Sequence, residues 1–120
     1  EVIEVIGMIE KIIIEYLTEQ LSGIPVVAER PTKDIPETFI MIDKTGSNKS
    51  NHIKGSTVAI QSYGPSLLAA AELNERIKDV MENMIIRDDV SAVRLNTDYN
   101  FSDTSSKVYR YQAVFDIVYY

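Results

Sequence analysis

The sequence predicts a single α+β domain in which two helices pack on one face of a mainly antiparallel sheet. Apolar residues recur with a helical period in two segments, roughly 2–21 and 66–84. In five other segments they form short runs or alternate with polar residues, as in strands. The predicted order is helix–strand–strand–strand–helix–strand–strand, and 120 residues suit one domain over 1–120.

The first helix has one broad apolar face and a smaller second stripe. The main face comprises Val2, Val5, Ile6, Ile9, Ile12, Ile13, Tyr16 and Leu17. Gly23 and Pro25 end the helix. Ile3, Ile14 and Leu21 fall together outside the main face. Either the domain's own sheet or a loop covers this stripe, or the stripe is a subunit interface.

Three strands are predicted before the second helix, at Val26–Arg30, Thr38–Lys44 and Thr57–Tyr63. Between the last two, the segment GSNKSN at 46–51 has no core-forming residue and is predicted to be a polar loop. Its surroundings are basic, with Lys44, Lys49, His52 and Lys54. The loop is either a solvated hairpin tip or a mobile contact arm, Gly46–Lys54, which reaches an acidic surface or a DNA backbone.

The last third of the sequence is predicted to form a long hairpin after the second helix. In the first strand Val93, Leu95, Thr97 and Tyr99 alternate with polar residues. In the second strand the aromatic side, which includes Phe115, is expected to pack on the helices. The other side mixes charge with apolar residues: Arg110, Gln112, Val114, Asp116, Val118 and Tyr120. Either neighbours such as Arg94 shield these valines, or Arg110 and Asp116 lie at a subunit boundary.

The composition offers little for catalysis or for cofactor and metal binding. There is no Cys, and His52 is the only histidine. Asp88-Asp89 falls where a helix gives way to a strand, so a turn explains it. The glycines form no phosphate-binding pattern. We therefore expect no catalytic, cofactor-binding or metal-binding residues, and a protein that is not an enzyme.

Charge and hydropathy limit the partners. The net charge of −6 argues against a dedicated nucleic-acid binder, although DNA can pass nearby. No run of about 18 apolar residues occurs, so a membrane span is not expected.

Four stretches give the chain a family resemblance. They are the first helix running into GIPV at 23–26, IPETFIMIDKTG at 35–46, STVAIQSYGPSLLAAAELNERIKDVM at 56–81 and YRYQAVFDIVYY at 109–120. In this layout, which covers nearly the whole chain, the sequence resembles the tail-terminator (tail-completion) proteins of long-tailed bacteriophages and prophages.

The resemblance implies an α+β subunit that forms a ring, usually a hexamer, at the head-proximal end of the tail tube. Such a ring stops tube polymerisation and joins the tail tube protein to the head–tail connector protein, while DNA passes through the lumen without specific binding. It also implies assembly in the bacterial cytoplasm and a place in the virion. The alternatives are another head–tail connector or neck protein, or a small-molecule-binding regulatory α+β domain.

Overall fold

The computed structural model describes residues 8–50 and 53–120. The elements are α1 (Met8–Gln20), β1 (Val26–Val27), β2 (Phe39–Ser50), β3 (Ile53–Gly64), α2 (Leu67–Glu82), a 3-10 helix (Asn83–Ile86), β4 (Val90–Asn100) and β5 (Tyr109–Tyr119). The strands form one mixed sheet in the order β1-β2-β3-β5-β4, in which only the β1–β2 pair is parallel. The predicted α+β class is confirmed, and the order matches apart from the added 3-10 helix.

The first helix packs through the predicted main face, with Ile9, Ile13 and Leu17 fully buried. Gly23 adopts φ 90°, a left-handed conformation that ends the helix as predicted. Residues 2–7 of the predicted helix lie outside the described part of the chain. Neither described helix has the length and apolar character needed to cross a membrane.

The second helix begins in a tight junction with β3. The Ser66 side chain caps it by accepting a hydrogen bond of 3.1 Å from the backbone N–H of Ala69. Pro65 therefore precedes the cap and lies outside the first turn of the helix. A Cβ on Gly64 would lie 2.8 Å from the backbone nitrogen of Ala70, so a side chain there would push the helix away from the strand.

The core lies between the two helices and one face of the sheet. Leu73, Ile77 and Met81 of α2 are buried against alternate residues of the central strands. Those strand residues are Ile40, Ile42, Val58, Ile60, Ala113, Phe115, Ile117 and Tyr119. Burial of this one strand face is the main favourable contribution to folding.

Two strand predictions need correction. Strand β1 has two residues instead of five, because it pairs only with Ile40 and Met41 of β2. The predicted polar loop after Lys44 is wrong: β2 and β3 stay paired as far as Ser50 and Ile53. Strand β3 is also held by β5 as far as Lys54, so backbone pairing, rather than burial, extends the hairpin through polar residues.

A bulge in β4 reverses the predicted alternation. The pairing with β5 shifts register between Leu95 and Thr97, so every later residue points to the opposite face. Asp98, instead of Tyr99, then faces the helices. Its carboxylate accepts hydrogen bonds from Asn74 Nδ2 at 2.9 Å and Lys78 Nζ at 3.0 Å, which tie β4 to α2.

We predict that Leu73→Ala and Ile77→Ala each lower the free energy of unfolding by about 2–5 kcal/mol, because each removes buried methyl groups and leaves a cavity. Urea denaturation followed by circular dichroism measures the change. Glu72→Ala, at an exposed position on the same helix, is the control and should change stability by less than about 0.5 kcal/mol. Near-wild-type unfolding of both core variants would contradict this packing.

Candidate interaction surfaces

The second apolar stripe of α1 is covered from within the chain. Leu21 is buried in the core, and the half-buried Ile14 packs against it. The interface prediction is therefore wrong for Leu21, because its side chain already contacts the domain's own residues. Ile3 lies outside the described residues.

The face of the sheet opposite the helices is called the open face here, because neither described helix covers it. It carries Arg110, Gln112, Val114, Asp116 and Val118 of β5, as the alternation predicts. Their cross-strand partners on this face include Gly55, Thr57, Ala59, Gln61 and Tyr63 of β3, and Ala92, Arg94, Thr97 and Tyr99 of β4.

Arg110 is bound within the chain. Its Nε donates to the carbonyl oxygen of Phe101 at 2.8 Å, and its Nη1 donates to the hydroxyl of Tyr63 at 3.2 Å. The guanidinium carbon lies 4.5 Å from the centre of the Phe101 ring, in cation–π range. Tyr63 itself stacks on Phe39 with ring centres 4.2 Å apart. Arg110 therefore ties the 101–110 loop to the centre of the sheet.

A chain of amide hydrogen bonds continues from Tyr63 across the open face. The Tyr63 hydroxyl donates to Gln61 Oε1 at 2.8 Å, and Gln61 Nε2 donates to Gln112 Oε1 at 2.8 Å. Gln112 Nε2 in turn donates to the hydroxyl of Tyr99. These bonds link β3, β5 and β4, and they satisfy the polar groups of the buried Gln61.

Asp116 is also paired within the chain. Its carboxylate accepts hydrogen bonds from Thr57 Oγ1 at 2.9 Å, Asn96 Nδ2 at 3.1 Å and Arg94 Nη2 at 3.4 Å. The bonds from Asn96 and Thr57 lower the pKa of the Asp116 carboxyl from its usual 3.8. Arg110 and Asp116 thus each join strands of one subunit. Their place at a subunit boundary stays a prediction.

Val114 and Val118 lie between small residues on the open face. The partners of Val114 are Ala59 and Thr97, and those of Val118 are Gly55 and Ala92. Arg94, expected to shield the valines, lies opposite Asp116 instead. Since short side chains cannot reach over a neighbouring valine, Val114 and Val118 stay half-buried on either side of Asp116. These two valines are called the apolar strip here.

The basic hairpin end, residues 44–54, is strand up to a two-residue connection. Lys44 is exposed and Lys54 half-buried, and the register places Lys49 directly opposite Lys54. His52 lies outside the described residues. The predicted contact residues Lys49 and Lys54 are therefore held on paired strands rather than on a mobile loop.

The end of α2 carries a surface that the sequence did not predict. We call it the acidic end and define it by Asp79, Glu82, Ile85, Ile86 and Asp88, all of which are exposed. The side chains of Ile85 and Ile86 are 54% and 81% exposed. The sequence feature that could have indicated this surface is the run Met84-Ile85-Ile86, in which only Met84 fits the apolar face of the helix.

The neighbouring Asp89 is neutralised within the chain. Arg87 donates two hydrogen bonds to its carboxylate, at 3.0 and 3.2 Å. This ion pair lowers the pKa of Asp89 and raises that of Arg87. The carboxylate of Asp88 remains exposed beside the pair.

The described residues contain no group of three or more His, Asp or Glu side chains that could hold a metal ion. Their grooves are surface features. One of about 350 Å³ lies between α2 and β4, with Val93, Leu95 and Phe115 on its apolar side and Lys78, Asp79, Glu82 and Arg94 on its charged side. Another, of about 480 Å³, lies beside Ile86 between the end of α1 and the 3-10 helix.

No protein-family model matches the chain, and no curated protein matches it.

We predict that Asp116→Asn destabilises the protein most above about pH 4. Because the folded pKa is lower than the unfolded one, the carboxylate's contribution is present above the usual pKa of 3.8 and is lost as the pH falls through the folded pKa. Urea unfolding of wild type and variant between pH 7 and pH 2 measures the difference in stability. That difference should shrink as the pH falls.

Asp43→Asn is the control, since Asp43 is exposed on the same face of the sheet. It should leave the stability close to that of the wild type throughout. A constant difference between wild type and Asp116→Asn down to the lowest pH would contradict the assignment.

Proposed function

We propose that the chain is a ring-forming structural subunit of a long-tailed bacteriophage or prophage, a tail terminator that caps the tail tube and joins it to the head connector. The specific role, that of a tail terminator, comes from the family resemblance of the sequence. The confirmed α+β class and element order support it, because they are the architecture that the resemblance implies.

The observation that carries self-assembly is the apolar strip of the open face. Val114 and Val118 are only half-buried within the subunit, and their small neighbours leave them accessible from above. Aromatic residues and an arginine lie further along the same face, at Tyr99, Phe101 and Arg110. Apolar surface flanked by aromatic and arginine side chains is typical of protein–protein contacts.

The hydrogen-bonded network beside the strip preforms this surface. Gln61, Gln112 and Tyr63 are fixed by one another, so little side-chain freedom remains to be lost when a partner binds. A rigid face with a few apolar positions suits a subunit that assembles repeatedly in one geometry.

We predict that native mass spectrometry of the purified chain shows a closed homo-oligomer, most simply a hexamer, either alone at high concentration or after addition of purified tail tubes. The addition matters because a terminator can stay monomeric until it meets the tube. A chain that remains monomeric in both conditions would contradict the proposal. A monomer or dimer that binds a small molecule would support the regulatory domain instead.

Val118→Lys tests whether the open face takes part. We expect it to reduce the assembled fraction, on tubes or in solution, because the apolar strip would acquire a charge without a partner. The folded subunit should melt near the wild-type temperature, since residue 118 faces away from the core. Leu68→Lys, at an exposed position on α2, is the control and should assemble normally. Normal assembly of Val118→Lys would remove the open face from the contact.

A further inference from the structure

We infer that the basic hairpin end of one copy docks on the acidic end of the next copy, and that this head-to-tail contact, which is separate from the open-face contact of the proposed function, closes the ring. The inference rests on the proposed function for the existence of a ring. It goes further by naming the two surfaces that meet.

The first observation is the charge of the two surfaces. Residues 44–54 contain Lys44, Lys49 and Lys54 and no Asp or Glu. The acidic end carries Asp79, Glu82 and Asp88, while Arg87 and Asp89 neutralise one another. By sequence, the hairpin end thus carries three positive charges and the acidic end three negative ones. Lys78 and Arg94 line a groove with Asp79 and Glu82, but they are paired with Asp98 and Asp116. Counting Asp43, one residue before the hairpin end, still leaves that end basic.

The second observation is the position of the two surfaces on the sheet. Past Met41, strand β2 has no partner on its outer side among the described residues, so the hairpin end lies at one edge. Strand β4, which follows the acidic end, forms the opposite edge. Both surfaces also lie at the same end of the sheet, because Tyr119 pairs with Lys54 on one side and with Val90 on the other.

This placement is the one that a ring requires. Subunits set side by side bring the β2 edge of one copy to the β4 edge of the next at the same height. The two surfaces are unlike, so the contact is heterologous, and a heterologous contact repeated around an axis closes into a ring. Lys44 and Lys54 share the helix side of the sheet by register, and the acidic end lies at the end of a helix on that side.

The third observation is that each surface is incomplete in a single subunit. The register places two lysine positions, 49 and 54, directly opposite one another in the hairpin end. On the other surface Ile86 is the most exposed of the large apolar side chains described, and it borders the groove at the end of α1. A neighbouring copy would supply carboxylates to the lysines and would cover the isoleucines.

The alternative contact, in which the β2 edge of one copy pairs with the β4 edge of the next through backbone hydrogen bonds, is less favoured. Strand β2 shifts register between Lys44 and Gly46, and β4 shifts near Val90 and again near Leu95. Bulges and charges on edge strands hinder strand addition. Side-chain contact between the charged surfaces avoids this obstacle.

The test uses charge reversal and mixing of the full-length chain. The hairpin variant is Lys44→Glu with Lys54→Glu, and the acidic-end variant is Glu82→Lys with Asp88→Lys. Each brings like charges together in the contact, so we expect each to weaken assembly about tenfold or more in dissociation constant. An equimolar mixture should assemble again with alternating subunits, as should one chain carrying all four changes.

Lys11→Glu with Lys33→Glu is the matched control for the hairpin variant. It lowers the net charge by the same amount as that variant, at exposed positions outside both surfaces. It should assemble like the wild type. Thermal melting checks that each variant folds. If Lys54→Glu unfolds the subunit, Lys44→Glu alone is paired with the acidic-end variant, because Lys44 is exposed.

The outcomes separate this inference from the proposed function. Rings that form normally with both reversed variants would overturn the named contact and leave the ring intact. Failure of the mixture to assemble, with each variant folded, would also overturn it. Loss of DNA binding instead of ring mass in the hairpin variant would assign the lysines to nucleic acid. A wild-type chain that never assembles would overturn both proposals.

Discussion

The structure depends on one interaction: both described helices pack on the same face of the five-stranded sheet. Ile77 and Met81 of α2 and Ile13 and Leu17 of α1 meet the same strand face, and nearly all of the core lies between them. The two faces of the sheet therefore differ in what covers them. The face that the helices cover contains the main apolar core, and no described helix lies on the other face.

The boundary of the core is fixed by polar contacts rather than by apolar packing. The hydroxyl of Tyr16 donates to the carbonyl oxygen of Val80 at 2.6 Å and joins α1 to α2, and burial raises the pKa of that hydroxyl. Asp98 joins α2 to the edge strand through Asn74 and Lys78. The hydrogen bonds that the Lys78 ammonium donates to Glu75 and Asp98 raise the pKa of Lys78. Because hydrogen bonds are directional, these contacts specify the position of α2 relative to α1 and β4, which apolar packing alone does not specify.

The uncovered face contains polar groups that find their hydrogen-bond partners within the chain. Polar groups at the centre of a sheet need partners even where no second layer protects them. Here Gln61, Gln112 and Tyr63 satisfy one another, while Thr57 and Asn96 satisfy Asp116. The strands are thereby joined side to side. Val114 and Val118 have only small cross-strand neighbours and stay half-buried on this face.

The sequence by itself determined the elements whose pattern comes from burial. The periodicity of α1 and α2 and the alternation along β5 could be read directly, because each buried face repeats with the period of its backbone. The α+β class followed, as did the two faces of the last strand.

Only the tertiary structure decided features that depend on a partner strand or on a neighbouring element. The hairpin of β2 and β3 continues through the polar residues 46–50 because backbone groups pair whatever the side chains are. The bulge after Leu95 places Asp98 on the helix side, since one extra residue against β5 reverses the facing of those that follow. Leu21 is covered because it packs into the domain's own core, and Ile86 is exposed because the 3-10 helix places Met84, and not Ile86, in that core. None of these leaves a period in the sequence, since each is set by the position of another segment of the chain.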